Sequence, residues 1–250
     1  MSLTYWIIIL AIIFISGIVK GTTGFGFALF SLPLLVHFVP IKILIPIITL
    51  FNLFSSAQIV IQLREAKLTR RILVLSVSGV IGVVIGSLIL KYLSDRALKM
   101  MASCILILLS LMFLTGYRFR IRKVKRGIVI AGFISGLFGG STSVSGPPLA
   151  LFLTSLRLDT VHFRYTFAWF SIITASIAFF DYIKIGVVSL PTFKIFLVSL
   201  PILVLSVELG RYISQKISQR IFYQASIVIT LLAGMLMFYT CCFGKQVAIG

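Results

Sequence analysis

Acidic side chains are almost missing from this chain: five Asp and Glu stand against 23 Lys and Arg in 250 residues, and charged residues of both signs make up only 11%. That is too little polar sequence to cover a soluble core, which excludes a water-soluble globular protein. Histidine is scarcer still. The two present, His37 and His162, fall at the ends of apolar segments, and no carboxylate stands at the centre of one. An intramembrane enzyme needs a nucleophile with its base, or a metal set, at membrane depth, so this absence argues against one. The three cysteines, Cys104, Cys241 and Cys242, lie inside apolar segments without ligand spacing and read as small hydrophobes. No disulfide framework, metal or cofactor is expected. Long polar stretches are lacking too, with connections of roughly ten residues or fewer, which leaves no room for a separate soluble domain. The first segment has no basic leader and no cleavage site of small residues, and reads as retained structure.

What the chain does have is apolar sequence, at 60% of residues and a mean hydropathy of +1.17. The runs between charges and breakers are Leu3 to Val19, Phe27 to Val39, Ile43 to Leu63, Ile72 to Leu90 and Leu98 to Leu114. Five more follow: Gly127 to Phe138, Pro147 to Leu156, Phe163 to Ile183, Phe193 to Leu209 and Ile221 to Phe243. Helices of twelve and ten residues reach only about 18 and 15 Å at about 1.5 Å per residue, against a hydrocarbon core about 30 Å thick. Gly127 to Leu156 is therefore expected to form a re-entrant pair of half-helices. A pair returns the chain to the side it entered, so the three remaining spans of each half make the crossing number odd, and the halves are expected to sit upside down relative to one another.

A glycine-rich polar break opens each half. Gly17, Gly21, Gly24, Pro33 and Leu34 superpose on Gly132, Gly136, Gly139, Pro148 and Leu149 at a spacing of 115 residues, and Gly86, Ser94 and Arg96 on Gly210, Ser218 and Arg220 at 124. The expected fold is an all-α integral membrane protein of two inverted-topology repeats, each of five helical segments and each opening with a broken or re-entrant helix pair. The boundaries are 1–116 for the first repeat, 117–126 for a basic linker and 127–250 for the second repeat.

A net charge of +18 would suggest nucleic acid in a soluble protein, but here the cations are scattered through short loops. Fifteen fall on one side of the predicted topology, from Arg64 through the linker to Arg220, and seven on the other. The positive-inside rule makes the fifteen-charge side cytoplasmic and puts both termini outside. All five acids have basic neighbours near segment ends: Glu65 and Asp95 among loop cations, Asp159 by Arg157, Asp181 before Lys184 and Glu208 before Arg211. None presents itself as a proton carrier at mid-depth.

Where two breaks approach mid-depth from opposite faces, backbone that is not helical has to line a cavity or be buried in protein. The second leg of each pair starts near Phe27 and Pro147, so its unpaired amides and positive dipole end point at the meeting place. Hydroxyls gather there as well: Thr22 and Thr23 in the first break, Ser141, Thr142, Ser143 and Ser145 in the second. Amides and hydroxyls offer an oxyanion several donors and release it more readily than an Arg fork. The same Ser and Thr residues also suit closing freed backbone groups, and the glycines Gly24, Gly139 and Gly140 suit either ligand approach or packing. Gly82 and Gly86 read as packing. Lys20 follows seventeen residues that carry no Asp, Glu, Lys or Arg, and is either a buried counter-charge or a cation reaching a headgroup. Asn52 and Thr174, at the centres of their segments, read as cavity-lining or interhelical groups. Gln58 and Gln62 suit an exit path or packing, and Arg164 an anchor or an attractor at the inner mouth.

Gly136-Leu137-Phe138-Gly139-Gly140-Ser141-Thr142-Ser143-Val144-Ser145-Gly146-Pro147-Pro148-Leu149, with its divergent first copy from Gly21 to Leu35, resembles the sulfite exporter TauE/SafE family of membrane permeases. The length, duplication and basic linker fit, and the resemblance covers nearly the whole chain. It implies carriage of a small sulfur-containing anion, sulfite or an organosulfonate, across the cytoplasmic membrane. The partners expected are that anion and the lipid bilayer, with self-association as a homo-oligomer open. A passive anion channel, or a carrier of another small anionic metabolite, fits the residues as the alternative.

Overall fold

The computed structural model of the protein describes residues 3–63, 68–115, 124–156, 158–216 and 219–243, and these form ten helices with no strand among them. The first five are α1 (Leu3–Thr23), α2 (Phe27–Leu35), α3 (Ile41–Gln62), α4 (Arg70–Tyr92) and α5 (Asp95–Leu114). They are followed by α6 (Val124–Thr142), α7 (Gly146–Ser155), α8 (Thr160–Lys184), α9 (Leu190–Lys216) and α10 (Gln219–Phe243). Six of them, α1, α3, α4, α5, α8 and α9, are long and apolar enough to cross a bilayer. Glu65, Arg157 and linker residues 117–123 lie outside the described residues, and α6 begins at Val124, inside the stretch read as linker.

Local sequence starts and seats these helices. Thr69 and Ser94 cap α4 and α5 by accepting hydrogen bonds from the amides of Ile72 and Ala97, and Pro147 sits in the first turn of α7, where its missing donor costs nothing. On α4 the large side chains Val77, Ile81, Val84, Ile85 and Leu88 point outward, while Ser78, Gly79, Gly82 and Gly86 are buried. That is the inside-out pattern of a lipid-facing helix, whose protein side is made small so that backbones can meet.

The partner of that small face is α6. A β-carbon on Gly132 would lie 2.3 Å from the Leu75 carbonyl oxygen, one on Gly136 1.9 Å from that of Gly79, and one on Gly140 2.3 Å from that of Val83. Position numbers rise together, so α4 and α6 run parallel. Helices α1 and α9 do the same, with Gly17 against Leu203 and Ser206 and Gly21 against Val207 and Gly210.

The two contacts correspond residue for residue. Gly86 meets the Leu137 carbonyl and Gly210 meets that of Ile18; Gly140 meets Val83 and Gly21 meets Val207. Equivalent positions are thus 124 apart in α4 and α9, as the sequence indicates, but 119 apart in the first helices, where the sequence alignment indicates 115. The slip is four residues, one helical turn. Glycines recur every four residues at Gly132, Gly136 and Gly140, so an alignment displaced by a turn still lays glycine on glycine. Thr22 and Ser141 each bond the carbonyl four residues back, those of Ile18 and Leu137, and Thr23 and Thr142 do so with Val19 and Phe138. Each pair again stands 119 apart. Except for α3 with α5, the principal helix contacts map onto one another when the halves are exchanged.

The breaks are shorter, and placed later, than the glycine-rich runs indicate. Helix α1 continues through Lys20-Gly21-Thr22-Thr23, and α6 has 19 residues instead of twelve, reaching about 28 Å and passing through Gly139, Gly140, Ser141 and Thr142. Those hydroxyls bond the helix's own carbonyls and the glycines face partner backbone, so both runs stay helical. The chain leaves the helix only at residues 24–26 and 143–145. Gly24 and Ser143 are again equivalent and both have positive φ, +84° and +60°. The helices that follow the breaks are the short ones, nine residues in α2 and ten in α7. Expectations of two short half-helices between Gly127 and Leu156 are met only by α7.

Candidate functional site: the meeting of the two breaks

The breaks touch. A β-carbon on Gly146 would sit 3.4 Å from the Phe25 ring and 4.0 Å from the Gly26 amide nitrogen. Two narrow adjoining cavities lie at this contact and share Asn52, Ser143 and Ser145 in their walls. One adds Gly139, Thr49, Ser171 and Thr174; the other adds Gly26 and Ala28 at the start of α2, Gly146 at the start of α7, and Phe167. The N-terminal ends of α2 and α7 therefore border the same space, α2 with its first amides and α7, whose next two residues are Pro147 and Pro148, with that of Gly146.

Of the residues singled out in the sequence, Asn52, Gly139, Ser143, Ser145 and Thr174 line the cavities. Asn52 donates through Nδ2 to the Ser143 carbonyl at 3.4 Å. The Ser143 hydroxyl donates to the Ile45 carbonyl at 2.8 Å and contacts the Thr49 hydroxyl, which fixes the unusual backbone of the second break to α3. A non-glycine residue at positive φ is costly, and these bonds are what hold it. Thr174 bonds the Phe170 carbonyl of its own helix at 2.7 Å. Ser171 and Ser145 make no hydrogen bond to the described residues, so their hydroxyls are free to face a ligand. Thr22, Ser141 and Thr142 engage their own helices, Gly140 is packed against Val83, and Thr23 borders a separate, apolar space with Phe113 and Ile227. Gly24 packs against the Arg164 side chain.

Lys20 is fully buried. Its ammonium donates to the Ser56 hydroxyl at 3.0 Å and lies 5.2 Å from the centre of the Phe167 ring. Ser56 is one turn from Asn52 on α3, which brings the cation beside the cavity wall without entering it. Among the described residues no carboxylate reaches ion-pair distance of Lys20 or of Arg164. Arg164 is 8% exposed, donates to the Gly21 carbonyl at 2.8 Å and keeps a buried Nε without a partner. Three of the acids are engaged elsewhere. Glu208 holds Arg211 and accepts from Gln62, while Asp159 pairs with His162, and Asp181 accepts from Ser87 at 3.4 Å while Lys184 turns to the Phe180 ring. Gln58 donates to the Val204 carbonyl, so both glutamines clamp α3 to α9.

Helix α8 serves both breaks. Near its start Arg164 closes the carbonyl end of α1 at Gly21, and near its end Tyr182 donates to the Gly140 carbonyl at 2.7 Å at the carbonyl end of α6. These residues are about 27 Å apart along the helix, with Phe167, Ser171 and Thr174 between them. The sequence reading left Arg164 out of the site and missed Tyr182, Ser171 and Thr49. Thr49 and Ser171 carry a weak signal, a hydroxyl one turn from Asn52 and Thr174; Tyr182, beside Asp181 at a segment end, reads as interfacial.

The family described as Sulfite exporter TauE/SafE matches this chain over residues 9–237. No curated protein and no solved structure matches it.

Proposed function

The chain belongs to the sulfite exporter TauE/SafE family, a family of membrane transporters for sulfite-type anions, and we propose that it exports sulfite or a small organosulfonate by alternating access, holding the anion where the two breaks meet. The observation that carries this reading is the cavity itself. Its polar groups are donors without charge (Asn52, Ser145, Ser171, the amides that open α2 and that of Gly146), a buried cation stands behind one wall, and no carboxylate lines it. Such a place attracts an anion and repels cations. It also lets go, because neutral donors exchange readily for water.

Inverted topology belongs to the same proposal. Parallel packing of α4 with α6 and of α1 with α9, with exchange-related contacts, supports a pseudo-two-fold arrangement in which rocking one half against the other opens the site alternately. The cation bias supports an orientation with the Arg164 end of α8 toward the cytoplasm and the Tyr182 end outside. Lys20, Asn52, Gly139, Ser143, Ser145 and Thr174 form the binding group. Thr22, Thr23, Gly24, Gly140, Ser141 and Thr142 shape the helix ends that present it.

The test is binding and transport by the purified protein across sulfite, thiosulfate, sulfate, sulfoacetate, taurine and simple carboxylates. A sulfur oxyanion or sulfonate that stabilises the protein in a concentration-dependent way, and that is carried in proteoliposomes, is the expected result. Preference for a carboxylate, or for no anion in the panel, refutes the substrate reading.

A further inference from the structure

The two halves depart from their own symmetry at one position next to the site. Gly139 lines the open cavity, and the residue equivalent to it, 119 positions earlier, is Lys20. The neighbours correspond as well: Gly24 packs on Arg164 as Ser143 bonds Ile45, so α3 and α8 share the spacing of 119, and Ala175, which lines the cavity beside Gly139, is equivalent to Ser56, the hydroxyl that receives the Lys20 ammonium. So the Lys20 side chain fills the place that, in the other half, is empty. Between the two lies Phe167. Its ring forms part of the cavity wall, within 3.7 Å of a β-carbon on Gly146, and the Lys20 ammonium lies over it at 5.2 Å. One turn back on α8, the Arg164 Nε is buried without a partner among the described residues.

Resting on the transport reading above, we infer that the anion path has two stations, a neutral one in the Asn52 cavity and a cationic one at Lys20, with the Phe167 ring as the partition between them. In the empty protein the ring and Ser56 are what hold the ammonium, since a π face is the nearest substitute for a counter-charge. An anion that displaces the ring takes over that role. The first half brings the charge together with the Asn52 amide, whereas the second brings hydroxyls and the start of α7.

The experiment is a double-mutant cycle on Phe167→Ala and Lys20→Met, reading sulfite affinity by calorimetry together with acylation of Lys20 by acetic anhydride in peptide mass spectra. Removing the ring is expected to expose Lys20 to the reagent and to raise sulfite affinity by about tenfold, and only while Lys20 is present. Should Phe167→Ala fold poorly, Phe167→Val opens a smaller hole and is read the same way. If Lys20 stays unreactive without the ring, or if the affinity gain persists in the Lys20→Met background, the partition is refuted. If no variant binds sulfite yet Lys20 still opens to the reagent, the partition stands and the sulfite reading fails.

Discussion

Replacing Lys20 with Met separates a binding role from a structural one, because the two roles move stability in opposite directions. The ammonium is fully buried, with one hydroxyl and one aromatic face as partners. An anion held by Asn52 stands about one helical turn from Ser56, hence about 6 Å from the charge. At an effective dielectric constant of about 20, that separation is worth about 3 kcal/mol, or about a hundredfold in Kd. At a sulfite concentration a hundred times the native Kd, ligand stabilisation of about 2.7 kcal/mol should therefore fall to about 0.4 kcal/mol in the variant. The empty variant should meanwhile be as stable as the native protein or more so, since Met fills similar volume and no buried charge remains uncompensated. Thermal unfolding in detergent with and without sulfite reads both quantities. A variant with lower stability when empty and an undiminished sulfite-induced shift refutes the reasoning, for Lys20 would then be a packing residue. Added chloride should change the native affinity little, since a buried pair is weakly screened.

Other outcomes follow from single contacts. Asn52→Ala and Ser171→Ala should each weaken sulfite binding by about fivefold, the worth of one neutral hydrogen bond of about 1 kcal/mol, whereas Ser141→Ala, whose hydroxyl serves its own helix, should leave affinity within twofold in the same calorimetric titration. Gly136→Ala would put a β-carbon 1.9 Å from the Gly79 carbonyl oxygen, so α4 and α6 have to separate; the protein should lose its monodisperse peak in size-exclusion chromatography or unfold at markedly lower temperature. Tyr182→Phe leaves the Gly140 carbonyl without that bond and should cost about 1 kcal/mol in thermal stability while keeping the ring's packing. Counterflow in proteoliposomes should show acceleration of labelled sulfite by unlabelled sulfite on the far side, and a single-channel current in its place would favour the passive channel.

Most of the helical plan was legible because segment length and hydropathy are coarse signals that survive without tertiary information: α3, α4, α5, α7, α8 and α10 lie within a few residues of the expected runs, while α9 continues about two turns past Leu209. The breaks were legible in kind but misplaced. Glycine and hydroxyl residues read as helix breakers by propensity, yet in a membrane the same residues let helices approach and satisfy their own backbone, and α6 runs on through Gly139 to Thr142 for that reason. What ended the helix was one residue at positive φ in each half, Gly24 and Ser143, and the serine gives no local warning of it. Asn52 and Thr174 were legible as polar groups at mid-segment. Tyr182 and Arg164 were not, because each sits near a helix end where such residues usually meet the headgroups, and only the fold shows that an end of α8 faces the end of another helix.

Placement of the caps on α8 bears on how the site could open. One helix supplies the group that closes the carbonyl end of α1 and the group that closes the carbonyl end of α6, and between them it contributes Phe167, Ser171 and Thr174 to the cavity. A tilt of α8 against the pair α1 and α9 strains the Arg164 contact; a tilt against α4 and α6 strains that of Tyr182. Each contact is worth on the order of 1 to 3 kcal/mol, the guanidinium one more than the phenol. Loss of either leaves a gap of only a few kcal/mol between two arrangements, the scale on which one bound anion shifts a population. A cavity bounded by neutral donors suits that scale. An anion clamped by paired arginines would be bound too tightly to leave, whereas under the proposed reading one charge stands behind the Phe167 ring and the groups that line the cavity are neutral.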